Sequence, residues 1–335
     1  MAALLEVEDL RTHFPTRGGL VRAVDGISFW VERGEMVGIV GESGSGKSVT
    51  ALSILRLVPE PGRVSGRILF GGRGRPRDIV RMSDAEVRDL RGGEVAMIFH
   101  DPMTSLNPVL RVGHQIHEAM AAHHLFTPRE ADGRLVKMLE KVRIPAARER
   151  AASYPQQLSG GMRQRAMIAM GLSNEPSLLI ADEPTTALDV TVQAQLIELL
   201  REVNRELGTA IILITHNLAV VAALCTRVIV MYAGRIVEQG PTRQIFTSPQ
   251  HPYTWSLLRC IPRVDRPRGE PLRSITGAPP DLANLPSGCK FHPRCRFRVS
   301  RCLAEEPPLE FVAEAQQARC WVPIRDSLCD SDDSR

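Results

Sequence analysis

One eight-residue segment constrains the fold of this chain more than any other feature of its 335 residues. The segment GESGSGKS at residues 41–48 fits the pattern GxxxxGK[ST], directly follows the apolar run Met36–Val40 and precedes a helical run at 49–57. A strand, a glycine-rich turn and a helix in this order predict a phosphate-binding loop, whose backbone N–H groups converge on phosphates at a helix N-terminus. We expect Lys47 to reach the β- and γ-phosphates and the Ser48 hydroxyl to bind Mg²⁺.

The chain up to about residue 245 alternates short apolar runs with longer amphipathic stretches, which is the pattern of an α/β fold. Continuous apolar runs predict strands of a parallel sheet covered on both faces, at residues 36–40, 95–99, 178–181 and 210–214. A covering helix is predicted by apolar residues at helical spacing, which are Leu196, Leu199, Leu200, Val203 and Leu207. Residues 101 to about 160 lack such strands and predict a helical subdomain.

Composition and charge argue against several classes of protein. With 43% hydrophobic and 24% charged residues the chain is globular in composition, and its length predicts about two domains. Its 42 basic and 38 acidic residues are so nearly balanced that we expect no nucleic-acid partner. The first residues carry Glu6, Glu8 and Asp9 and do not predict a secretory signal. No apolar run approaches the roughly 20 residues needed to span a bilayer, so other chains would do any spanning.

Two adjacent carboxylates follow one of the predicted strands. Asp182 and Glu183 come directly after the apolar run at 178–181. An Asp–Glu pair at the end of a strand is often only a helix cap, but together with a phosphate loop it indicates nucleotide chemistry. We expect Asp182 to bind a Mg²⁺ ion that bridges the phosphates, and Glu183 to be the base that polarises the attacking water.

A further motif narrows the class of ATPase. The segment LSGGMRQR at 158–165 places Ser159, Gly160 and Gly161 at the start of a helix whose N-terminus can bind a second phosphate. With this segment the chain resembles the ATP-binding cassette ATPases, and a D-loop at 186–189 and a switch histidine, His216, follow in the family's order. The resemblance covers about residues 4 to 245. It implies a P-loop NTPase (RecA-like) nucleotide-binding domain with antiparallel β and helical subdomains.

The resemblance also implies roles for individual residues. In this family two cassettes dimerise head to tail, and each ATP lies between the phosphate loop of one and the signature helix of the other. Glu183, His216 and Lys47 would be catalytic, with His216 holding the γ-phosphate and the water. The three signature residues would contact the partner's ATP. The other nucleotide or Mg²⁺ contacts would come from Gly41, Ser43, Gly44, Gly46, Ser48, Val49, Asp182 and Asp189.

Two positions fit the family pattern less closely. Phe14 is the nearest aromatic residue upstream of the phosphate loop, where the family stacks a ring on adenine, and a core role is an equal alternative. His100 stands where the family usually has a glutamine that binds Mg²⁺ through oxygen. Imidazole is a poorer ligand for a hard cation. We therefore expect His100 to weaken hydrolysis without abolishing it, with a neutral family variant as the alternative.

Three segments extend the resemblance over nearly the whole chain. GIVGESGSGK at 38–47, DPMTSLNP at 101–108 and HPYTWSLL at 251–258 resemble the oligopeptide/dipeptide importer ATPases. We predict a nucleotide-binding domain at 1–245, a loop-rich importer-type extension at 246–325 and a disordered tail at 326–335. The resemblance implies a second cassette that is a paralogue or a copy, two transmembrane permeases, an extracytoplasmic binding protein, and a peripheral place at the cytoplasmic face of the membrane.

Four cysteines lie in the proline-rich extension, which is too poor in apolar runs to build a large core alone. The thiols of these cysteines would suit a tetrahedral site, and they belong to Cys289, Cys295, Cys302 and Cys320. A metal or cluster bound there would stabilise the extension. The spacing lacks the CxxC pairs usual in zinc ribbons, and it resembles the [4Fe–4S] pattern of some members of this subfamily. Zn²⁺ and free thiols are the alternatives.

Other functions remain as alternatives. The same motor role for nickel or another small solute would leave these motifs unchanged, because the permeases and the binding protein choose the cargo. The importer-type extension argues against an exporter ATPase. Non-transport cassette proteins commonly carry two cassettes in one chain, whereas this chain has one phosphate loop. An iron–sulfur redox protein would need a substrate pocket that the sequence does not indicate.

Overall fold

The computed structural model describes residues 3–99, 101, 105–124, 126–186, 189–261 and 274–324. His100, Cys329 and the predicted tail at 326–335 lie outside these residues. The chain divides into two compact units, each built from several segments. The first unit takes the described residues of Met1–Leu5, Trp30–Met36 and Leu69–Ile214, and the second those of Glu6–Phe29, Val37–Ile68 and Thr215–Arg335.

The strands, in chain order, are β1 (Leu5–Thr16), β2 (Gly19–Val31), β3 (Met36–Val40), β4 (Arg63–Phe70), β5 (Arg77–Asp78), β6 (Val95–Ile98), β7 (Leu178–Asp182), β8 (Ala210–Ile214), β9 (Arg227–Tyr232), β10 (Arg235–Pro241), β11 (Glu310–Ala313) and β12 (Gln316–Ala318). The α-helices are α1 (Lys47–Ile54), α2 (Asp84–Leu90), α3 (Val112–Ala121), α4 (Pro128–Lys141), α5 (Ala147–Ala151), α6 (Gly160–Leu172), α7 (Val190–Leu207), α8 (Leu218–Leu224), α9 (Thr242–Thr247), α10 (Pro252–Arg259) and α11 (Ser300–Ala304). Short 3₁₀ turns lie at Ile79–Arg81, Pro155–Gln157 and His292–Arg294.

The first unit contains the parallel strands β6, β7 and β8. Leu179 on β7 pairs with Ala96 on one side and with Ile211 on the other. Every residue of β7 and β8 is buried, as expected for strands covered on both faces. The predicted α/β class with parallel apolar strands is confirmed.

Helices of the first unit follow from caps and amphipathic spacing. Helix α7 buries four residues of the predicted apolar face, Leu196, Leu199, Leu200 and Val203, whereas the fifth, Leu207, is half-buried. The helix is followed by Gly208 in the left-handed region. Between β6 and β7 the described residues form helices α3 to α6 and no strand. Helix α4 begins at a capping box, in which the Thr127 hydroxyl and backbone exchange hydrogen bonds with Glu130.

The second unit contains parts of two sheets. In one, β1 lies between β2 and β4, and in the other the strand order is β11-β12-β10-β9-β3. Strand β3 runs parallel to β9, while β9 and β10 pair antiparallel. Strand β3 is fully buried, and it leads directly into the phosphate loop.

The C-terminal extension contributes two strands to this sheet. Strand β12 pairs antiparallel with β10, where Glu238 lies opposite Ala318, and β11 pairs with β12. The Glu238 carboxylate is buried and accepts hydrogen bonds from the Gln250 and His251 backbone at 2.7 and 3.0 Å and from Gln316 Nε2 at 2.6 Å. The residues before α10 and strand β12 are thereby fastened to β10 by one buried group.

Among the described residues, no helix combines the length and the apolar character needed to cross a membrane.

Candidate functional site

The phosphate loop turns the chain from β3 into α1 through backbone that only glycine adopts easily. Gly41 has φ 153° and Gly46 has φ 102°. A Cβ atom at Gly41 would collide with the Met231 carbonyl oxygen, and one at Gly46 would collide with the Ala23 carbonyl oxygen. The two glycines therefore let the loop lie directly against neighbouring backbone at both ends.

The Lys47 side chain lies along this loop. It is only 7% exposed, and its Nζ donates hydrogen bonds to the carbonyl oxygens of Gly41 at 2.8 Å and Glu42 at 2.9 Å. The ammonium group is therefore held on the loop by two backbone acceptors. A cation fixed in this way suits the predicted contact with the β- and γ-phosphates of a nucleotide, which stays a prediction.

The other predicted loop contacts differ in exposure. Ser43, Gly44 and Ser48 are exposed and Val49 is half-buried, so three residues of the loop that carry hydrogen-bond donors are accessible. Ser45 was not among the predicted contacts. Its Oγ is buried and has no hydrogen-bond partner within the described part of the chain. The loop thus combines a buried frame with accessible donors, which is the arrangement that an anion requires.

Phe14 and His216 also belong to the second unit. Phe14 is half-buried on β1, and its ring lies so close to Gly62 that a Cβ there would clash with it. His216 is exposed and follows the end of β8 by two residues. The next residue, Asn217, caps α8, and its N–H donates to Thr215 Oγ1 at 3.0 Å. The roles of Phe14 and His216 stay predictions.

Asp182 and Glu183 lie at the end of β7 in the first unit. Asp182 is buried, and Glu183 is half-buried with a left-handed backbone at φ 50°. Its N–H donates to the Ile214 carbonyl at 2.8 Å, and its carboxylate accepts from Thr186 Oγ1 at 3.1 Å. A non-glycine residue in this region is uncommon and costs free energy, and such residues concentrate at functional sites.

The signature residues begin helix α6, also in the first unit. Ser159 caps the helix by accepting from the Met162 N–H at 3.3 Å, and Ser159 and Gly160 are exposed. Gly161 lies against α7, because a Cβ there would approach Val192 Cγ1 to 2.8 Å. Asp189 is exposed and caps α7 through the Val192 N–H at 2.9 Å. An exposed helix N-terminus with small residues is able to receive a phosphate.

Sequence reasoning missed the contacts of Glu42, the second residue of the phosphate loop. Both oxygens of its carboxylate accept from Arg294, at 2.7 and 3.0 Å, and its N–H donates to the Tyr253 hydroxyl at 2.7 Å. Both partners lie in the C-terminal extension. Tyr253 stands in the HPY segment, which the sequence does single out, whereas nothing in the sequence separates Arg294 from the arginines beside it.

The four cysteines of the extension line one small cavity. Cys289, Cys295, Cys302 and Cys320 surround it together with apolar and aromatic side chains. Burial raises the pKa of the Cys295 thiol to about 11 and that of Cys320 to about 12, and repulsion from the neighbouring thiols adds to both.

The sulfur atoms share this cavity without forming a coordination site. Throughout the described ranges, no group of three or more histidine, cysteine, aspartate or glutamate side chains is arranged to hold a metal ion. The donor set is therefore suited to a soft metal or a cluster, but its present geometry does not support the expected [4Fe–4S] cluster or Zn²⁺.

The fold and the phosphate loop together define an α/β nucleotide-binding protein of the P-loop class. Two family models match the chain. The ABC transporter model matches residues 24–186, and the model of the oligopeptide/dipeptide transporter C-terminal region matches residues 237–302. The second match includes Tyr253 and Arg294, the two partners of Glu42.

Individual relatives agree with these matches. The chain is 49% identical over 326 residues to the oligopeptide transport ATP-binding protein OppD of Escherichia coli, which covers 97% of this chain and 95% of that one. It is 50% identical to the dipeptide transport ATP-binding protein DppD of the same species, with 97% and 98% covered. The ATP-binding cassette MJ0796, solved as a dimer bound to ADP and Pi, has the same fold with a TM-score of 0.64 at 24% identity, over 71% of this chain and 99% of that one. The chain belongs to the ATP-binding cassette ATPases of the ABC transporter family.

Proposed function

We propose that this protein is the ATP-hydrolysing subunit of an importer of dipeptides or oligopeptides. The observation that carries the proposal is the identity of about half of all residues, over nearly the whole chain, with both an oligopeptide and a dipeptide transport ATP-binding protein. The extension supports it further, because β12 and Glu238 fasten this importer-type segment to the sheet that carries the phosphate loop.

The chemistry assigned to the site is hydrolysis of the γ-phosphate. Lys47 and the loop N–H groups bind the phosphates, and Ser48 and Asp182 would hold a Mg²⁺ ion, which supplies charge that neutralises the phosphate oxygens. Glu183 accepts a proton from the attacking water, and His216 orients that water and the γ-phosphate. The Thr186 hydroxyl that donates to the Glu183 carboxylate at 3.1 Å orients the base.

The assembly is part of the same proposal. The signature residues would meet the ATP of a second cassette, either a copy of this chain or a paralogue. Two transmembrane permeases would bind the helical region between β6 and α6, near His100, and an extracytoplasmic binding protein would deliver the cargo. The cassette would work at the cytoplasmic face of the membrane, and the close charge balance argues against a nucleic-acid partner.

We further propose that the cavity of four thiols binds a [4Fe–4S] cluster, with Zn²⁺ as the alternative. The convergence of all four thiols on one cavity supports this, although their side chains would have to rotate to coordinate the group. Iron, sulfide and zinc are to be measured on anaerobically purified protein. Loss of the group in Cys302→Ser but not in Cys260→Ser, which alters a cysteine outside this cavity, supports the site. Stoichiometric zinc without iron contradicts the cluster, and neither metal leaves free thiols.

The transport role is tested by uptake of labelled dipeptides and oligopeptides in a deletion strain of the source organism. Wild type should restore uptake and Glu183→Gln should not. Glu198→Gln is the matched control, because Glu198 is a half-exposed α7 residue whose carboxylate pairs with Arg201. If wild type leaves peptide uptake unchanged, the peptide cargo is wrong, and uptake of nickel and other small solutes becomes the next measurement.

A further inference from the structure

Glu42 creates an electrostatic problem for the phosphate loop. It is the only acidic residue among residues 41–48, and its carboxylate carries the same sign of charge as the phosphates that the loop binds. Like charges in one site disfavour each other, so an unpaired carboxylate here would weaken nucleotide binding. A residue that neutralises Glu42 therefore affects ATP affinity without touching ATP.

Arg294 is placed to neutralise this carboxylate. Its side chain is only 5% exposed, and its two terminal nitrogens donate to the two Glu42 oxygens at 2.7 and 3.0 Å. The guanidinium is itself fixed, because its Nε donates to the Thr276 carbonyl at 3.0 Å. This two-point geometry between a buried guanidinium and a carboxylate is among the strongest and most directional of protein hydrogen-bonded pairs.

Tyr253 holds the backbone of the same residue. Its hydroxyl accepts the Glu42 N–H at 2.7 Å, and its ring is fully buried against Tyr232 and Phe291, with centroid separations of 4.7 and 5.4 Å. The Glu42 carbonyl in turn accepts from Lys47 Nζ at 2.9 Å. A continuous set of hydrogen bonds thus links the extension to the lysine that the phosphates need.

We propose that Arg294 and Tyr253 are positioning residues for the phosphate loop, which neutralise and fix Glu42 and thereby raise the affinity of the cassette for ATP. The proposal rests on nucleotide binding by the proposed ATPase and is independent of the solute that is transported. It gives the extension a role in the nucleotide site of its own chain, in addition to any contact with other subunits.

The proposal predicts graded losses of affinity. Arg294→Gln leaves the Glu42 carboxylate unpaired beside the phosphates, and we expect the Kd for nucleotide to rise about tenfold. Arg294→Lys keeps the charge but loses the two-point geometry, so its Kd should lie between those of wild type and Arg294→Gln. Tyr253→Phe removes one acceptor from Glu42, and we expect a rise of about threefold.

The test uses the full chain and titrates the non-hydrolysable analogue AMP-PNP with Mg²⁺ in a calorimeter. Each variant is also measured in the Glu42→Gln background, where Arg294 no longer faces a carboxylate. There, Arg294→Gln should change the Kd less than twofold. A role of Arg294 in folding alone would lower the unfolding temperature while leaving the Kd of the folded protein within twofold of wild type. Arg298→Gln, an exposed arginine of the same segment, is the control and should bind like wild type.

Affinities of Arg294→Gln, Arg294→Lys and Tyr253→Phe that all stay within twofold of wild type overturn the proposal. If Arg294→Gln does not fold, Arg294→Lys and Tyr253→Phe decide by the same criterion. Failure of wild type itself to bind the analogue would contradict the proposed ATPase site instead. A failure of peptide uptake alone would leave the positioning role intact.

Discussion

Arg294 and Glu42 form a two-point ion pair although 252 positions of sequence separate them. One partner belongs to the phosphate loop and the other to the cysteine-bearing segment of the extension. The residue next to Arg294, Cys295, lines the cavity of four thiols. Whatever occupies or alters that cavity therefore acts on a segment that contacts the phosphate loop directly.

Replacing Lys47 by methionine should weaken ATP binding at least about tenfold and abolish hydrolysis, because the change removes the cation that lies on the loop carbonyls of Gly41 and Glu42. Nucleotide titration and phosphate release check this. Lys137→Met, at an exposed position of α4, is the matched control and should behave like wild type. Binding by Lys47→Met within twofold of wild type would contradict the role of this lysine.

Replacing Glu183 by glutamine should lower ATP turnover about a hundredfold or more while nucleotide binding is kept, because the amide cannot accept the proton of the attacking water. Single-turnover phosphate release and analogue titration, measured on the same preparation, separate the two effects. Glu198→Gln should leave both unchanged. Turnover near that of wild type in the assembled complex would show that Glu183 is not the base.

Two glycine-to-alanine changes should have opposite effects. Gly46→Ala places a Cβ against the Ala23 carbonyl oxygen at φ 102°, so we expect lower stability and loss of nucleotide binding. Gly133→Ala lies in α4 with nothing within 4 Å of the new Cβ, and it should raise the free energy of unfolding by about 0.5 to 1 kcal/mol. Thermal unfolding of the two variants, with and without nucleotide, measures their stability and their nucleotide binding. Equal effects of the two changes would contradict the close approach at Gly46.

His251 should make stability depend on acid pH. Burial, together with the positive charge of Arg319, lowers the pKa of its imidazole to about 3 in the folded protein, against about 6.5 when unfolded. The unfolded chain therefore binds more protons as the pH falls from about 6.5 towards 3, and stability falls with it, by about 2 kcal/mol at pH 5. Burial raises the pKa of the adjacent Glu238, which acts in the opposite direction.

The contribution of His251 is isolated by comparing wild type with His251→Asn in denaturant unfolding at pH 7.5 and pH 5. In wild type, His251 Nδ1 accepts a hydrogen bond from the Tyr253 N–H at 3.0 Å. The asparagine side chain keeps an acceptor for this N–H, and asparagine does not titrate. The variant should lose less stability between the two pH values than wild type does. Equal losses would show that the imidazole is not the group responsible.

The parts of the fold that were predictable depend on local pattern. Strands β3, β7 and β8 are continuous apolar runs that a buried parallel sheet requires, and the apolar face of α7 recurs at helical spacing. The phosphate loop was equally predictable, because glycines at Gly41 and Gly46 and the position of Lys47 are set within eight residues of chain.

Features that depend on distant residues were not predictable in the same way. The hairpin of β11 and β12 is short and proline-flanked, and only its pairing with β10 makes it a part of the sheet. Glu183 has a left-handed backbone, and its N–H donates to the Ile214 carbonyl. A glutamate in the sequence does not by itself predict this conformation. Arg294 is one of several arginines in its segment, and only the folded chain brings it to Glu42.

The separation of Glu42 and Arg294 also has a consequence for biosynthesis. A ribosome that adds about 5 to 20 residues per second needs roughly 13 to 50 seconds to travel from one to the other. During that interval the emerging chain already carries the glycines and the lysine of the phosphate loop but lacks the arginine that pairs with the Glu42 carboxylate beside them. Completion of the loop's environment is therefore timed by the synthesis of Arg294 and lags behind that of the loop itself.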